Sequence, residues 1–195
     1  MASSRRIGAE SSLTRAALLD AAEQLMLEEG YAAVTSRRVA SRAELKPQLV
    51  HYYFRTMDDL YLEVFRRRAE QGLERQADAL ASPQPLRALW AFSNEGGGTA
   101  LTMEFAALAR HRPAIRAEVG GYAEQFRIRQ LASLSDALAG HGIDPDELPP
   151  VVLLVFMTSL SRMLVMEEGL DMSIGHAETR SLIERWLTEV EGPAR

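Results

Sequence analysis

Apolar residues recur at intervals of three and four along nearly the whole of this 195-residue chain, and no segment alternates as a half-buried strand would. That pattern confines the fold to helices packed on helices. Leu13, Ala17, Leu18, Ala21, Ala22, Leu25 and Met26 form one stripe that ends at Gly30, a helix stop. Thr35 can cap a short helix carrying Val39 and Ala40. Pro47 suits the first position of another, which runs into His51, Tyr52, Tyr53 and Phe54. Thr56 and Asp59 have capping-box spacing and open a helix from Met57 to about Leu80, which Ser82-Pro83-Gln84-Pro85 terminates. Further helices are expected over Pro85 to Asn94, Thr99 to Arg110, Pro113 to Ala139, Pro145 to Glu168 and His176 to Glu191, some nine in all. The fold class is all-α.

At 47% hydrophobic residues the chain can bury a substantial core, and its lack of cysteine excludes disulfides, thiolate zinc sites and thiol nucleophiles. His111, His141 and His176 are isolated, each expected at a loop or helix end, so no metal or cofactor is indicated. Nucleophile-elbow, zinc-protease and P-loop motifs are missing, and Gly96-Gly97-Gly98 has no following lysine, so the chain does not read as an enzyme. The first twelve residues are polar and carry no secretory apolar core. Val151 to Met166, interrupted by Ser159, Ser161 and Arg162, falls short of the ~20 residues a membrane span needs and reads as a buried helix. The expected location is cytoplasmic.

A net charge of -5 repels polyanions, so any nucleic-acid surface must be local. Between Tyr31 and Met57 five basic residues, Arg37, Arg38, Arg42, Lys46 and Arg55, face one acid, Glu44. Residues 76–195 hold 10 basic and 16 acidic residues. A positive window at one end of an acidic chain is what a phosphate-binding face requires. It coincides with three helices in succession, the last two short, which suggests a helix-turn-helix whose final helix enters the major groove by its N-terminal residues, Lys46, Gln48 and Leu49. Gln pairs bidentately with adenine, Lys or Arg with guanine, and Leu touches a thymine methyl.

These residues resemble the DNA-binding domain of the tetracycline-repressor (TetR) family. The likeness rests on Thr14 leading an amphipathic helix, Gly30-Tyr31, Thr35-Ser36-Arg37, Val39-Ala40, and the aromatic run to Phe54 followed by a capped helix. It covers about a quarter of the chain. It implies that Ser36 touches phosphate, that Arg37 can read a base, and that Lys46, Gln48, Leu49, His51 and Tyr52 face the groove while Tyr53 and Thr56 hold the backbone. The sequence departs from the family at Glu44, usually Gly, at Lys46, usually Ser or Thr, at His51, usually Tyr, and at Met57, usually a phosphate-binding Lys; Lys46 or Arg55 could compensate for the last. Phe54 is expected in the core. Arg66, Arg67 and Arg68 read as a solvated face balanced by Glu63, Glu70 and Glu74.

In the remainder, Glu104 and Arg162 are each the lone charge of an apolar helix, which places them at a helix edge, pairs them with each other, or makes them polar anchors of a ligand pocket. The pocket would be lined by Trp90, Phe92, Met103, Tyr122, Phe126 and Met157, residues whose spacing equally suits plain core. Gly120-Gly121 would kink the long helix from Pro113 or permit close packing against it. The last two helices offer Leu153, Phe156, Met157, Leu160, Leu164, Leu182, Trp186 and Leu187, for which the resemblance implies a two-fold dimer seam.

The expectation is a homodimeric, ligand-responsive transcriptional regulator, a repressor in the first reading. Residues 1–60 would bind a palindromic DNA operator, and residues 61–195 a small, mostly apolar effector and the partner chain. The alternative is an all-helical small-molecule-binding or interaction protein that keeps a vestigial DNA-binding domain, motivated by Met57.

Overall fold

The computed structural model describes residues 2–94 and 96–194, with side chains for 12–94 and 98–194. Among the described residues it is all-α: α1 Ala2–Glu29, a 3-10 turn Tyr31–Ala33, α2 Ser36–Arg42, α3 Pro47–Tyr53, α4 Met57–Leu80, α5 Pro85–Ser93, α6 Gly96–Ala109, α7 Pro113–Gly140, α8 Pro150–Glu168 and α9 His176–Glu191. The helix starts follow local chemistry. The Thr35 hydroxyl accepts the Arg38 amide at the start of α2, and Pro47 opens α3 at its first position. Thr56 and Asp59 form the reciprocal capping box, each backbone amide donating to the other's side chain at 3.1 Å.

The chain divides into two compact units. The first comprises Met1–Glu70 and Leu101–Gly120, the second Gln71–Ala100 and Gly121–Arg195. These packing boundaries fall elsewhere than residue 60, where the sequence suggests a change of role. In the first unit, Leu18, Leu25 and Met26 of α1, Val39 and Ala40 of α2, Val50 of α3, Leu60 and Val64 of α4, and Phe105 and Leu108 of α6 share one core. Burying a side chain of that size contributes roughly 1.5–3 kcal/mol, so the short helices α2 and α3 are held by tertiary packing, not by their own propensity.

The arginine run of α4 is not the locally balanced face expected of it. Arg67 bonds Asp20 at 2.6 Å and Glu23 at 2.9 Å, Arg68 lies 3.3 Å from Glu23, and Arg66 bonds Glu118 at 2.7 Å. Only the Arg66–Glu63 pair, at 3.4 Å, is a helical neighbour. The others fasten α4 to α1 and to the start of α7.

In the second unit Leu86 and Leu89 of α5, Leu134 and Leu138 of α7, Leu153, Leu154 and Met157 of α8, and Leu187 of α9 form the core. The Glu191 carboxylate accepts the Leu86 and Arg87 amides at 2.7 and 3.0 Å, capping the positive end of α5 with the last residue of α9. Three expectations need correction here. First, α8 begins at Pro150, not Pro145, because Asp144 Oδ1 accepts the Asp146 amide at 2.9 Å and turns the chain before Pro149. Second, α8 is not a buried helix: Leu153, Leu154, Met157, Ser161 and Leu164 face the core, while Val152, Val155, Phe156, Met163 and Met166 are exposed. Third, α7 is continuous through Gly120 and Gly121, and apart from their chain neighbours and the helix's own nearby backbone no described atom comes within 4 Å of where a Cβ would stand on either, so close packing does not explain them.

Candidate nucleic-acid interface

The α2–α3 corner closes by backbone geometry. Glu44 N–H donates to the Ser41 carbonyl at 3.2 Å and Leu45 N–H to Ala40 at 2.9 Å, while Glu44 adopts φ 56. This is the glycine position of a Schellman turn, occupied by a residue with a Cβ. Leu45 packs against the core beside it, and α3 leaves the corner with Val50 inward. That orientation settles which residues face out. Arg37, Lys46, Gln48, His51, Tyr52 and Thr56 are exposed, Tyr52 at 77%. Ser36, Leu49 and Tyr53 are half-buried. The Tyr52 and Tyr53 rings meet edge to face at 5.0 Å, so Tyr53, packed on the core, props its exposed neighbour. Phe54 is buried as expected, with the Arg15 guanidinium 5.5 Å above its ring.

The positive window is thinner than its residue count. Arg42 bonds Glu28 at 2.6 Å and Arg38 pairs with Glu29, both acids lying at the end of α1. The hydrogen bonds from these arginines hold the Glu28 and Glu29 carboxyls below the usual carboxylate value. Among the described residues no ion pair occupies Arg37, Lys46 or Arg55, and all three are exposed. Met57, where the resemblance implies a lysine, packs against the core instead, and exposed Arg55 stands two residues before it.

One fastening group could not be anticipated from spacing. The Tyr61 hydroxyl, on α4, donates within 3.2 Å of the Tyr31 carbonyl and 3.0 Å of the Val34 carbonyl, bracketing the turn that leads into α2. Burial pushes its phenol pKa up.

The candidate ligand residues divide between the units. Met103 and Glu104 belong to the first, where Tyr31 N–H donates to Glu104 Oε2 at 2.7 Å. The others lie in the second. Phe92 and Phe126 stack with centroids 6.5 Å apart, Trp90 and Met157 share the core, and Tyr122 is half-buried. Arg162 is exposed along α8, yet surrounding protein and the Arg127 guanidinium lower its pKa. His176 is at a helix end but buried, its Nε2 2.7 Å from Glu167.

Residues 18–64 match the model of the bacterial regulatory proteins of the tetR family. The match covers the N-terminal domain, about a quarter of the chain. No curated protein sequence matches it. Among solved structures it is similar to a TetR-family transcriptional regulator from Rhodococcus sp. (TM-score 0.72, 18% identity, 91% of this chain and 98% of that one). It is also similar to a transcriptional regulator from Saccharomonospora viridis in complex with choline (TM-score 0.70, 19% identity, 80% and 85%). A third similar structure is the transcriptional regulator FadR from Bacillus subtilis in complex with stearoyl-CoA (TM-score 0.65, 16% identity, 91% and 98%). At these identities the likeness establishes the shared helical fold.

Proposed function

We propose that this chain is a ligand-responsive transcriptional repressor that binds a palindromic operator as a homodimer. Residues 1–60 bind DNA; residues 61–195 bind the effector and the partner chain. The observation that carries the reading is the set of side chains left outward and unpaired on one corner of a TetR-type head: Arg37 at the start of α2, Lys46 and Gln48 at the start of α3, and Arg55 beyond it. In this reading Arg37 and Gln48 contact base edges, Lys46 and Arg55 neutralise phosphates, and Ser36, Tyr53 and Thr56 position the backbone, with Leu49, His51 and Tyr52 in the groove.

The exposed stripe of α8 supports the dimer, since a contiguous apolar face is costly to leave in water. The Phe92–Phe126 stack supports an effector with a large apolar part, and two regulators of the same fold are known with choline and stearoyl-CoA bound. A protein that works on chromosomal DNA acts in the cytoplasm.

Duplexes enriched from a random pool by the wild-type protein provide the test. Gln48→Ala should cost about 1–3 kcal/mol on the enriched duplex and little on a scrambled one, whereas Tyr53→Phe should weaken both. Failure to enrich any sequence would leave the small-molecule-binding alternative standing.

A further inference from the structure

Glu104 sits in the middle of α6, far in sequence from the helix-turn-helix, yet its carboxylate is spent on the motif. Tyr31 N–H opens the 3-10 turn that joins α1 to α2, and an amide at that position has no partner within the turn. Its N-cap residue is Gly30, which has no side chain to offer, and Glu104 Oε2 supplies the missing acceptor at 2.7 Å. The fit is close. Gly30 has φ 80, and a Cβ on it would stand 3.3 Å from Glu104 Oε2, so the glycine serves both the backbone turn and the approach of the carboxylate.

The other end of the turn is held as well. Tyr61 bonds the carbonyls of Tyr31 and Val34, and Arg112, after α6, pairs with Asp58 while lying 5.5 Å over the Tyr61 ring. Thr35 and Ser36 follow at once, so whatever fixes residues 31–34 fixes the start of α2, where Arg37 leaves the helix.

We propose that Glu104 is a positioning residue for operator recognition: by capping the Tyr31 amide it sets α2, and with it Arg37, in the register that reads DNA. The proposal rests on the DNA-binding reading above and gives that function a determinant outside the helix-turn-helix. It also removes Glu104 from the effector site.

Three variants separate this role from bulk stability. Glu104→Gln keeps an oxygen that can accept the Tyr31 amide; Glu104→Met keeps the length and loses the acceptor; Glu104→Asp keeps the charge but is one methylene short. On the duplex enriched by the wild-type protein, Met and Asp should each weaken binding about tenfold, Gln by no more than about twofold, and all three should bind a scrambled duplex as the wild type does. Amide exchange at Tyr31 should quicken in Met and Asp and stay slow in Gln. Wild-type affinity in both Met and Asp, or a loss in Gln equal to theirs, would overturn the proposal while the DNA-binding reading stands. A wild-type protein that enriches no duplex would overturn both. Should Glu104→Met not fold, the Asp and Gln pair still decides.

Discussion

One side chain in the head does work that its type would not suggest. Glu44 holds φ 56 at the corner of α2 and α3, a conformation that costs an L residue about 1 kcal/mol or more relative to glycine. Part of that cost is offset because glycine has more freedom to lose from the unfolded chain. Glu44→Gly should therefore stabilise the protein by about 0.5 kcal/mol in denaturant titrations, and it should tighten DNA binding by removing the one acid of the basic window. Unchanged stability would mean that the corner imposes no strain.

At the same scale Glu28 and Glu29 tie up two arginines of the basic window. A Glu28→Gln, Glu29→Gln double variant should release Arg38 and Arg42 and steepen the fall of log affinity with log salt by up to ~1.8 per head, at about 0.9 per phosphate contacted. Both carboxyls titrate below the ordinary 4.5, so the two pairs are intact above that value and are lost as pH falls through the lowered range. Wild-type affinity for scrambled DNA should rise over that acid window, and the double variant should lack the rise.

At the scale of elements, α7 carries two glycines that packing does not require. With open space at both Cβ positions, Gly120→Ala and Gly121→Ala should each stabilise the helix by roughly 1 kcal/mol, seen as a higher Tm. If the pair instead serves as a point of flexure, the same variants should blunt operator release by effector while raising Tm.

The starts of α2, α3 and α4 were the legible part of this fold. Thr35, Pro47 and the Thr56–Asp59 box act within four residues, so they read directly from sequence. What did not read was partnership at a distance. Arg38 and Arg42 looked available because the acids that bind them belong to another helix, and Glu104 looked like a pocket anchor because its partner is a backbone amide 73 residues away. The apolar face of α8 was legible as apolar but not as two faces. Leu153, Met157 and Leu164 go to the chain's own core together with Leu187, while Phe156 and Leu182 do not, and hydrophobicity alone cannot say which stripe finds cover within one chain.

For the whole molecule, the proposed function depends on whether two heads act together. The exposed stripe on α8 and the exposed Leu182 on α9 are the surface a second copy would cover, and Phe156, 69% exposed, is its largest member. Trp186 packs against the core of its own unit, so a charge there would confuse folding with association. Phe156→Asp avoids that problem. In the isolated chain the side chain already faces water, so the variant should keep its helicity. A pair of charges facing each other across a two-fold apolar seam should nevertheless prevent the dimer. Sedimentation should then show monomer where the wild type shows dimer. Operator affinity should fall by about 100-fold or more, because a linked pair of heads gains that much over a single head from effective concentration alone. Binding to a duplex holding one half-site should be unchanged, since each head keeps its own Arg37, Lys46 and Gln48. A variant that still sediments as a dimer would place the seam on another surface. One that is monomeric yet binds the full operator as the wild type does would show that a single head suffices, against the two-fold reading of the site.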